Sequence, residues 1–248
     1  MANYIYGFHS LISFLKTNNK LVKHIYLEKN RQDRRLKELL ALTTACNSNI
    51  SYVTSDELYQ LTKTHNHQGV AAEVVLPVQP TLKELLSTIQ GTNSCQILIL
   101  DGITDPQNFG AIIRSAECFG VKAIIIPKNN SANINNTTVF KASSGAVNYL
   151  PVITVNNLTQ TIKTLKEHEF WVAGTSLASG SQSLYEFKFS GKLVWVMGSE
   201  GHGISHLVAE NCDYLVNIPI IGKTQSLNVA VATGIILAHY SKIINNSN

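Results

Sequence analysis

Six short apolar segments recur along the last two thirds of this 248-residue chain, and helical stretches separate them. They are predicted strands at residues 96–100, 122–127, 149–155, 170–174, 193–197 and 214–220. Strands that alternate with helices favour a mostly parallel sheet with helices on both faces. The sequence therefore predicts an α/β fold, in which ligands bind beyond the carboxyl ends of the strands.

Polar turns of related composition follow three of these strands. They read DGITDPQNFGAIIRSAECFG at 101–120, GSEGHGIS at 198–205 and PIIGKTQSLNVAVATG at 219–234. Together with Ile218, the last run is predicted to be a strand end, a turn and a helix, and Ser226 and Asn228 fall at the start of that helix. Free backbone N–H groups there favour a polar or anionic ligand. Ser226 could equally be no more than a cap of that helix.

Taken in this order, the three turns resemble the signature motifs of the SpoU family of RNA ribose 2′-O-methyltransferases, and the resemblance covers about 94–248. It implies a trefoil-knotted domain that transfers a methyl group from S-adenosylmethionine to a ribose 2′-hydroxyl. Neither a metal ion nor a covalent intermediate is implied. A dinucleotide-binding domain fits less well, because no Gly-x-Gly-x-x-Gly run opens a helix after a strand.

The resemblance also implies a catalytic set, which consists of Arg114, Asn108, Glu200, Ser226 and Asn228. Arg114 is the only arginine after Arg35. Because a guanidinium stays protonated, we expect Arg114 to position the substrate and stabilise charge, while a role as the base is left open. Each residue has a plainer interpretation: a surface arginine, a surface carboxylate, or a side chain that braces a turn.

Cofactor contacts in the family come largely from backbone atoms. By position, the resemblance assigns them to Thr175, Met197, Gly198, Gly201, Ile218, Ser226 and Leu227. Gly198 and Gly201 suit a place where the backbone approaches a ligand closely. Ile218 and Leu227 are expected to line an adenine pocket, although apolar residues are ordinarily part of a core.

The first 76 residues are predicted to form a separate small α/β domain. Apolar residues at helical spacing predict a first helix that begins at Phe8, and a second helix is predicted from Leu36 to Thr43. Strands are predicted at 24–28, 50–53 and 69–76. Thr54 and Glu57 form a capping box that opens a third helix. This unit resembles the RNA-binding domain, similar to a kink-turn-binding ribosomal protein, that many SpoU enzymes carry. Residues 77–94 are interpreted as a linker and 95–248 as the methyltransferase domain.

Positive charge is concentrated near the N-terminus, although the net charge of the chain is only +4. Between Lys16 and Lys37, eight basic residues oppose Glu28 and Asp33, which gives a local +6. Such a cluster suits a phosphate backbone, but a solvated helix face would also explain it. The RNA-binding candidates are Arg31, Arg34, Arg35 and Lys141, the last from the segment KASSGA at 141–146, which also matches the family.

Composition narrows the class of protein further. Hydrophobic residues make up 44% of the chain, yet no apolar stretch approaches the roughly 20 residues that cross a bilayer. Four scattered cysteines, without a Cys-x-x-Cys pair, argue against a zinc site or disulfide framework; they are Cys46, Cys95, Cys118 and Cys212. We therefore expect a cytoplasmic protein without a membrane segment or a metal.

Two further runs sharpen the resemblance: YIYGFHSL at 4–11 and HQGVAA at 67–72. They resemble family members that methylate a guanosine in 23S ribosomal RNA, so the expected partner is that RNA or a large-subunit precursor. The resemblance also implies a homodimer whose sites are completed across the interface. Two alternatives stay open: a transfer-RNA guanosine 2′-O-methyltransferase, and a non-catalytic RNA-binding or ribosome-assembly protein. The second is disfavoured because the whole catalytic set is present.

Overall fold

Two separate sheets organise the chain. The computed structural model describes residues 3–29, 31, 34–44 and 48–245. Cys46 and Asp33, which entered the cysteine and charge arguments above, lie outside the described residues. Within the described ranges, no helix is both long enough and apolar enough to span a bilayer.

The N-terminal sheet has four strands: β1 (Asn3–Tyr6), β2 (Val22–Glu28), β3 (Asn49–Val53) and β4 (Val70–Val74). Their order is β1-β4-β2-β3, with β2 and β3 parallel and the other neighbours antiparallel. Three helices accompany the sheet: α1 (Phe8–Asn18), α2 (Arg34–Thr43) and α3 (Ser55–Thr62). The predicted capping box is confirmed, since the side chain of Thr54 accepts from Glu57 N and that of Glu57 from Thr54 N.

Strand β1 was not predicted, because four residues are too few to display a clear period. Its pairing with β4 brings together the two runs at 4–11 and 67–72. Gly7 N donates to Val70 O at 3.2 Å, and Phe8 N donates to Gln68 Oε1 at 3.1 Å. Gln68 thus satisfies a free N–H group at the start of α1, where Gly7 offers no side chain to do so.

The second sheet has seven strands: β5 (Cys95–Asp101), β6 (Ile124–Pro127), β7 (Val152–Val155), β8 (Trp171–Thr175), β9 (Gln182–Ser183), β10 (Lys192–Gly198) and β11 (Tyr214–Asn217). Their order is β7-β6-β5-β10-β8-β11-β9, and every neighbouring pair is parallel. The predicted parallel sheet is confirmed. The two-residue β9 was missed, and β11 ends at Asn217, so Ile218 follows the strand rather than lying in it.

Six helices accompany these strands: α4 (Leu82–Thr88), α5 (Pro106–Cys118), α6 (Thr137–Ala142), α7 (Leu158–Glu167), α8 (His206–Glu210) and α9 (Val229–Asn245). Alternate residues of β5 face the two sides of the sheet. Leu98 joins the core that contains Phe109 of α5 and Leu237 of α9, whereas Ile97 joins the core that contains Ile162 of α7. Both faces of the sheet are therefore covered by helices.

Helix α4 lies within 77–94, the segment that the sequence predicts to be a linker. Leu85, Leu86 and Ile89 are at most 9% exposed and belong to the same core cluster as Ile97. Their spacing gives α4 an apolar face, and the second sheet offers the surface that buries it. Helix α4 is therefore packed against the second sheet.

His67 occupies a buried turn of the N-terminal domain, at 4% exposure. Gly69 N donates to His67 Nδ1 at 3.0 Å, so this ring nitrogen carries no proton. Burial is the main cause that lowers the pKa of His67 below its ordinary value of 6.5; Glu28 opposes the shift, whereas His65 and Arg31 favour it. The fold thus holds a neutral imidazole in this turn.

A histidine with a lowered pKa makes stability depend on pH in a defined direction. Below about pH 6.5, the unfolded chain binds a proton at His67 that the folded chain resists, so the free energy of unfolding falls as pH falls. In His67→Asn, the side-chain oxygen can still accept from Gly69 N but does not titrate. We expect urea unfolding between pH 7.5 and 5.5 to show a steeper loss for the wild type than for H67N. Parallel losses in the two proteins would contradict this assignment.

Candidate active site

Three polar side chains from the three predicted motifs meet in one hydrogen-bonded cluster. Asn228 Nδ2 donates to Glu200 Oε1 at 2.8 Å and to Asn108 Oδ1 at 2.9 Å. Asn108 Nδ2 donates to the same Glu200 oxygen at 3.2 Å. These residues are up to 120 positions apart in the chain, so only the fold brings them together.

The sheet positions this cluster. Asn108 lies in the first turn of α5, which Asp105 caps by accepting from Asn108 N at 2.8 Å. Glu200 follows β10, the strand that pairs directly with β5, with Gly198 opposite Asp101. Asn228 caps α9, because its Oδ1 accepts from the N–H groups of Ala230 and Val231. The cluster therefore lies at the carboxyl ends of neighbouring parallel strands, as predicted for ligand binding in such sheets.

Glu200 determines the orientation of the other two side chains. Its Oε1 accepts from both asparagine amides and from Val229 N at 3.2 Å, at the positive end of α9. A carboxylate only accepts hydrogen bonds, so each amide must present its NH₂ group to it. The Oε2 atom makes no hydrogen bond to any described residue, which leaves it able to accept a proton or a hydroxyl hydrogen.

Arg114 does not join this cluster in the described chain. It lies six residues beyond Asn108, about 1.7 helical turns, and so points from a different face of α5. Its Nη1 donates to Ser144 Oγ at 3.2 Å, just after the end of α6. Gly110, four residues earlier on the same face, lets α6 approach closely, since a Cβ there would be 2.5 Å from Ala142 Cβ.

The residues predicted to contact the cofactor lie around the same edge of the sheet. Thr175 ends β8 and donates to Val196 O at 3.1 Å, while Met197 and Gly198 end β10. Ile218 and Leu227 lie in the segment 218–228 between β11 and α9. This segment is exposed, with Ile221 fully accessible and Leu227 37% accessible. Ser226 precedes the cap residue Asn228, so Ser226 is not the helix cap.

Gly198 and Gly201, the two glycines assigned to the cofactor, are also explained by the backbone of their own loop. A Cβ on Gly198 would lie 2.0 Å from Gly203 C, within the loop that follows β10. Ser199 and Gly203 close this loop by two backbone hydrogen bonds. Gly198 is thus required by its own chain. Gly201 has φ +88°, a conformation that favours glycine, and nothing within 4 Å of a Cβ.

Sequence reasoning missed two polar residues beside this site. Asp101 Oδ2 accepts from Ser205 N at 2.8 Å and ties the loop of the second motif to the end of β5. The sequence did carry a signal for Asp101, since a polar residue directly after a buried strand lies at the edge of the sheet where ligands bind. Ser144, the partner of Arg114, had no such signal, because its contact depends on how α6 packs on α5.

The RNA-binding candidates differ in their surroundings. Arg31 is held by its own domain: Nη1 donates to Gln68 O at 2.6 Å and the guanidinium lies 4.9 Å from the Phe8 ring centre. Arg34 and Arg35 are exposed at the start of α2, and Lys141 is exposed in the last turn of α6. The latter three are thus available to a phosphate backbone.

Three other features that could form a functional site are a metal-binding group, a reactive thiol and a surface groove. In the part of the chain that the structure describes, no group of three His, Cys, Asp or Glu side chains is arranged to hold a metal. Burial raises the pKa of the Cys95 thiol and raises that of Cys212 to about 12, so both thiols stay protonated. A groove of about 1080 Å³ lies at the amino ends of the strands, beside Phe170 and Trp171, and no predicted site residue lines it.

Two family models match the chain. Residues 96–238 match the SpoU rRNA Methylase family, and residues 4–79 match a domain described as RNA 2'-O ribose methyltransferase substrate binding. The first match covers more than half of the chain.

Curated relatives match over nearly the full length. The 23S rRNA (guanosine-2'-O-)-methyltransferase RlmB of Nitrosomonas europaea is 40% identical over 237 residues, 95% of this chain and 90% of the relative. RlmB of Neisseria meningitidis is 39% identical over 241 residues, 96% of this chain and 95% of the relative.

Solved structures share the fold. The SpoU methyltransferase AviRb from Streptomyces viridochromogenes, in complex with AdoMet, superposes with a TM-score of 0.82 at 22% identity and covers 99% of this chain and 91% of that one. The AdoMet-bound rRNA methyltransferase from Sinorhizobium meliloti gives 0.80 at 24% identity, covering 97% and 87%. Together with the parallel sheet and the convergence of the three motifs, the full-length matches establish that this chain belongs to the SpoU family of RNA methyltransferases.

Proposed function

We propose that this protein transfers the methyl group of S-adenosylmethionine to the ribose 2′-hydroxyl of a guanosine in 23S ribosomal RNA. The observation that carries the proposal is the cluster of Asn108, Glu200 and Asn228 at the carboxyl ends of the strands. Relatives named for this reaction match at about 40% identity over nearly the whole chain, which supports the substrate. A large-subunit precursor in the cytoplasm is the expected setting.

The side chains of the cluster suit the handling of a sugar hydroxyl. Glu200 fixes the amide groups of Asn108 and Asn228 as donors, and its second oxygen makes no hydrogen bond to a described residue. That oxygen is our candidate to accept the 2′-hydroxyl proton as the oxygen attacks. Arg114, which stays protonated, is assigned to grip the adjoining phosphate and to stabilise the developing charge. Ser226 is assigned to orient the ribose or the methyl donor.

S-Adenosylmethionine supplies an electrophilic methyl carbon on a sulfonium sulfur when it is bound. The ends of β8, β10 and β11 lie side by side, which places Thr175, Met197 and Ile218 around one cleft edge. Exposed apolar side chains on the segment 218–228, among them Leu227, suit an adenine ring. We assign the cofactor to this edge, with Gly198, Gly201 and Ser226 supplying backbone or hydroxyl contacts.

We further propose that the active unit is a homodimer in which Arg114 of one subunit serves the cluster of the other. Within one chain, Arg114 bonds Ser144 and makes no hydrogen bond to Asn108, Glu200 or Asn228. Exposed apolar residues near the cluster, Ile221 and Val231, offer a surface for a second subunit. In such a dimer, Arg114 of one subunit would lie beside Asn108, Glu200 and Asn228 of the other.

Two structural features belong to the same proposal. We expect the C-terminal chain to be threaded as a trefoil knot, since the late strand β10 is inserted between β5 and β8 and the segment 218–228 returns to the same edge.

We also expect the N-terminal domain to bind structured RNA in the manner of a kink-turn-binding ribosomal protein. Its exposed Arg34 and Arg35 and the match to a substrate-binding family model support that role.

Removing the guanidinium tests the catalytic assignment. We expect Arg114→Ala to lower methyl transfer to ribosomal RNA at least a hundredfold while the affinity for S-adenosylmethionine changes less than about twofold, because the loss falls on charge stabilisation. The variants are compared by tritium incorporation from S-adenosylmethionine into ribosomal RNA. Mapping of ribose methylation in cells that lack the gene identifies the nucleotide concerned. Lys163→Ala, which removes an exposed cation from α7, is the matched control. Undiminished transfer by R114A would exclude the arginine from the mechanism.

Mixing two inactive variants tests the shared site. If Arg114 acts across the interface, refolded mixtures of R114A and Glu200→Ala contain mixed dimers with one intact site. Random pairing of the two chains then restores about a quarter of wild-type activity. If both residues serve one chain, every site keeps a defect and the mixture stays inactive. Light scattering of each variant checks that both remain dimers.

Charge neutralisation tests the RNA-binding surface. We expect Arg34→Gln/Arg35→Gln to weaken RNA binding and to reduce the slope of log affinity against log salt by about one to two units, because fewer counterions are released. The measurement is a filter-binding titration over a range of salt concentrations. Lys163→Gln/Lys188→Gln removes the same charge from the C-terminal domain and should leave the slope unchanged. An identical slope for both pairs would argue against this surface.

A further inference from the structure

The turn that receives Arg114 is unusual in its backbone. Ser144 has φ +51°, a left-handed conformation that costs a non-glycine residue free energy. Ser144 N donates to Lys141 O, and Gly145 N donates to Phe140 O. This pair of bonds is the Schellman ending of a helix, in which glycine usually occupies the position that Ser144 holds.

The hydroxyl of Ser144 gives a reason for the absence of glycine. Its Oγ accepts from Arg114 Nη1 at 3.2 Å, the one hydrogen bond that the guanidinium makes to a described residue. Glycine would relieve the backbone but offer no acceptor. A strained residue that holds a charged side chain beside a reaction site suggests a functional reason for the strain.

The N-terminal domain also contacts this turn. On α1, Ser13 Oγ donates to Gly145 O at 2.9 Å and accepts from Asn148 Nδ2 at 3.3 Å. Ser10 Oγ donates to Phe140 O at 3.4 Å. The contact is close, since a Cβ on Gly145 would lie 2.6 Å from Ser13 Cβ. Helix α1 therefore packs directly on the backbone that presents Ser144.

Helix α5 of the methyltransferase domain packs against the same segment. Gly110 of α5 allows Val139, Ala142 and Ser143 of the α6 segment to approach, with Ser143 fully buried. Arg114 follows Gly110 by four residues and so faces the same segment. The turn at 143–145 is held between α1 of one domain and α5 of the other.

We infer that Ser144 is a positioning residue for Arg114, and that α1 fixes the turn that carries it. The inference rests on the proposed function, in which Arg114 acts on the substrate. Its consequence is that the N-terminal domain does more than bind RNA: through Ser13 and Gly145 it sets the place of the arginine. The two domains are thus coupled at the reacting group.

Three variants test the positioning role. Ser144→Gly keeps the left-handed turn and removes the acceptor; Ser144→Asn restores a side-chain oxygen on a residue that tolerates positive φ. We expect S144G to lower kcat about tenfold, in line with one lost hydrogen bond to a charged group. S144N should recover most of that loss. Ser13→Ala should lower kcat about threefold, because the turn loses its support from α1.

The readouts separate positioning from folding. For S144G, the KM for RNA and the affinity for S-adenosylmethionine should match those of the wild type, and the melting temperature should not fall, because glycine relieves the left-handed backbone. Ser87→Ala removes an exposed hydroxyl from α4, at the opposite end of the sheet, and should change nothing. A drop in melting temperature or cofactor affinity parallel to kcat would assign Ser144 a structural role instead and overturn the inference.

Failure of this inference differs from failure of the proposed function. If R114A is inactive while S144G keeps full kcat, Ser144 does not position the arginine, and the catalytic assignment of Arg114 stands. If R114A is fully active, the role of Arg114 fails whatever S144G does. Loss of kcat in S144G without any loss in S13A would exclude α1 from the positioning of this turn.

Discussion

The site depends on one carboxylate oxygen that is shared by three segments of the chain. Glu200 Oε1 accepts from Asn108, from Asn228 and from the first N–H group of α9, and thereby joins loops that follow β5, β10 and β11. Negative charge at a helix N-terminus is favourable in its own right. The same interaction orients both amides, because a carboxylate offers only acceptors. Two further bonds, from Asn228 to Asn108 and from Ser205 N to Asp101, join the same loops in pairs, whereas Glu200 joins all three.

The parallel sheet makes this interaction possible. Parallel strands place all their carboxyl ends at one edge, so loops distant in sequence become neighbours there. Strand order matters as much as direction, because β10 lies between β5 and β8 although it comes later in the chain than both. Close packing at Gly110 and Gly198 then places α6 on α5 and folds the loop after β10 back on its own strand.

The N-terminal domain is joined to this arrangement through backbone contacts. Ser10 and Ser13 of α1 bond carbonyl groups of the α6 segment, and apolar residues of both domains share one core cluster. The turn that carries Ser144, the partner of Arg114, is thus in contact with both domains.

The sequence alone determined the local elements. Apolar segments located the six longer strands of the parallel sheet, and the Thr54–Glu57 pair located the start of α3. The resemblance of the polar turns to the SpoU motifs indicated the three residues that form the cluster, within a larger catalytic set. Only the tertiary structure decided that α4 is packed, that β11 ends before Ile218, that Asn228 caps α9, and that Arg114 faces Ser144. The reason is physical: periodicity and capping act within a few residues, whereas the direction a side chain finally takes depends on which distant element packs against it.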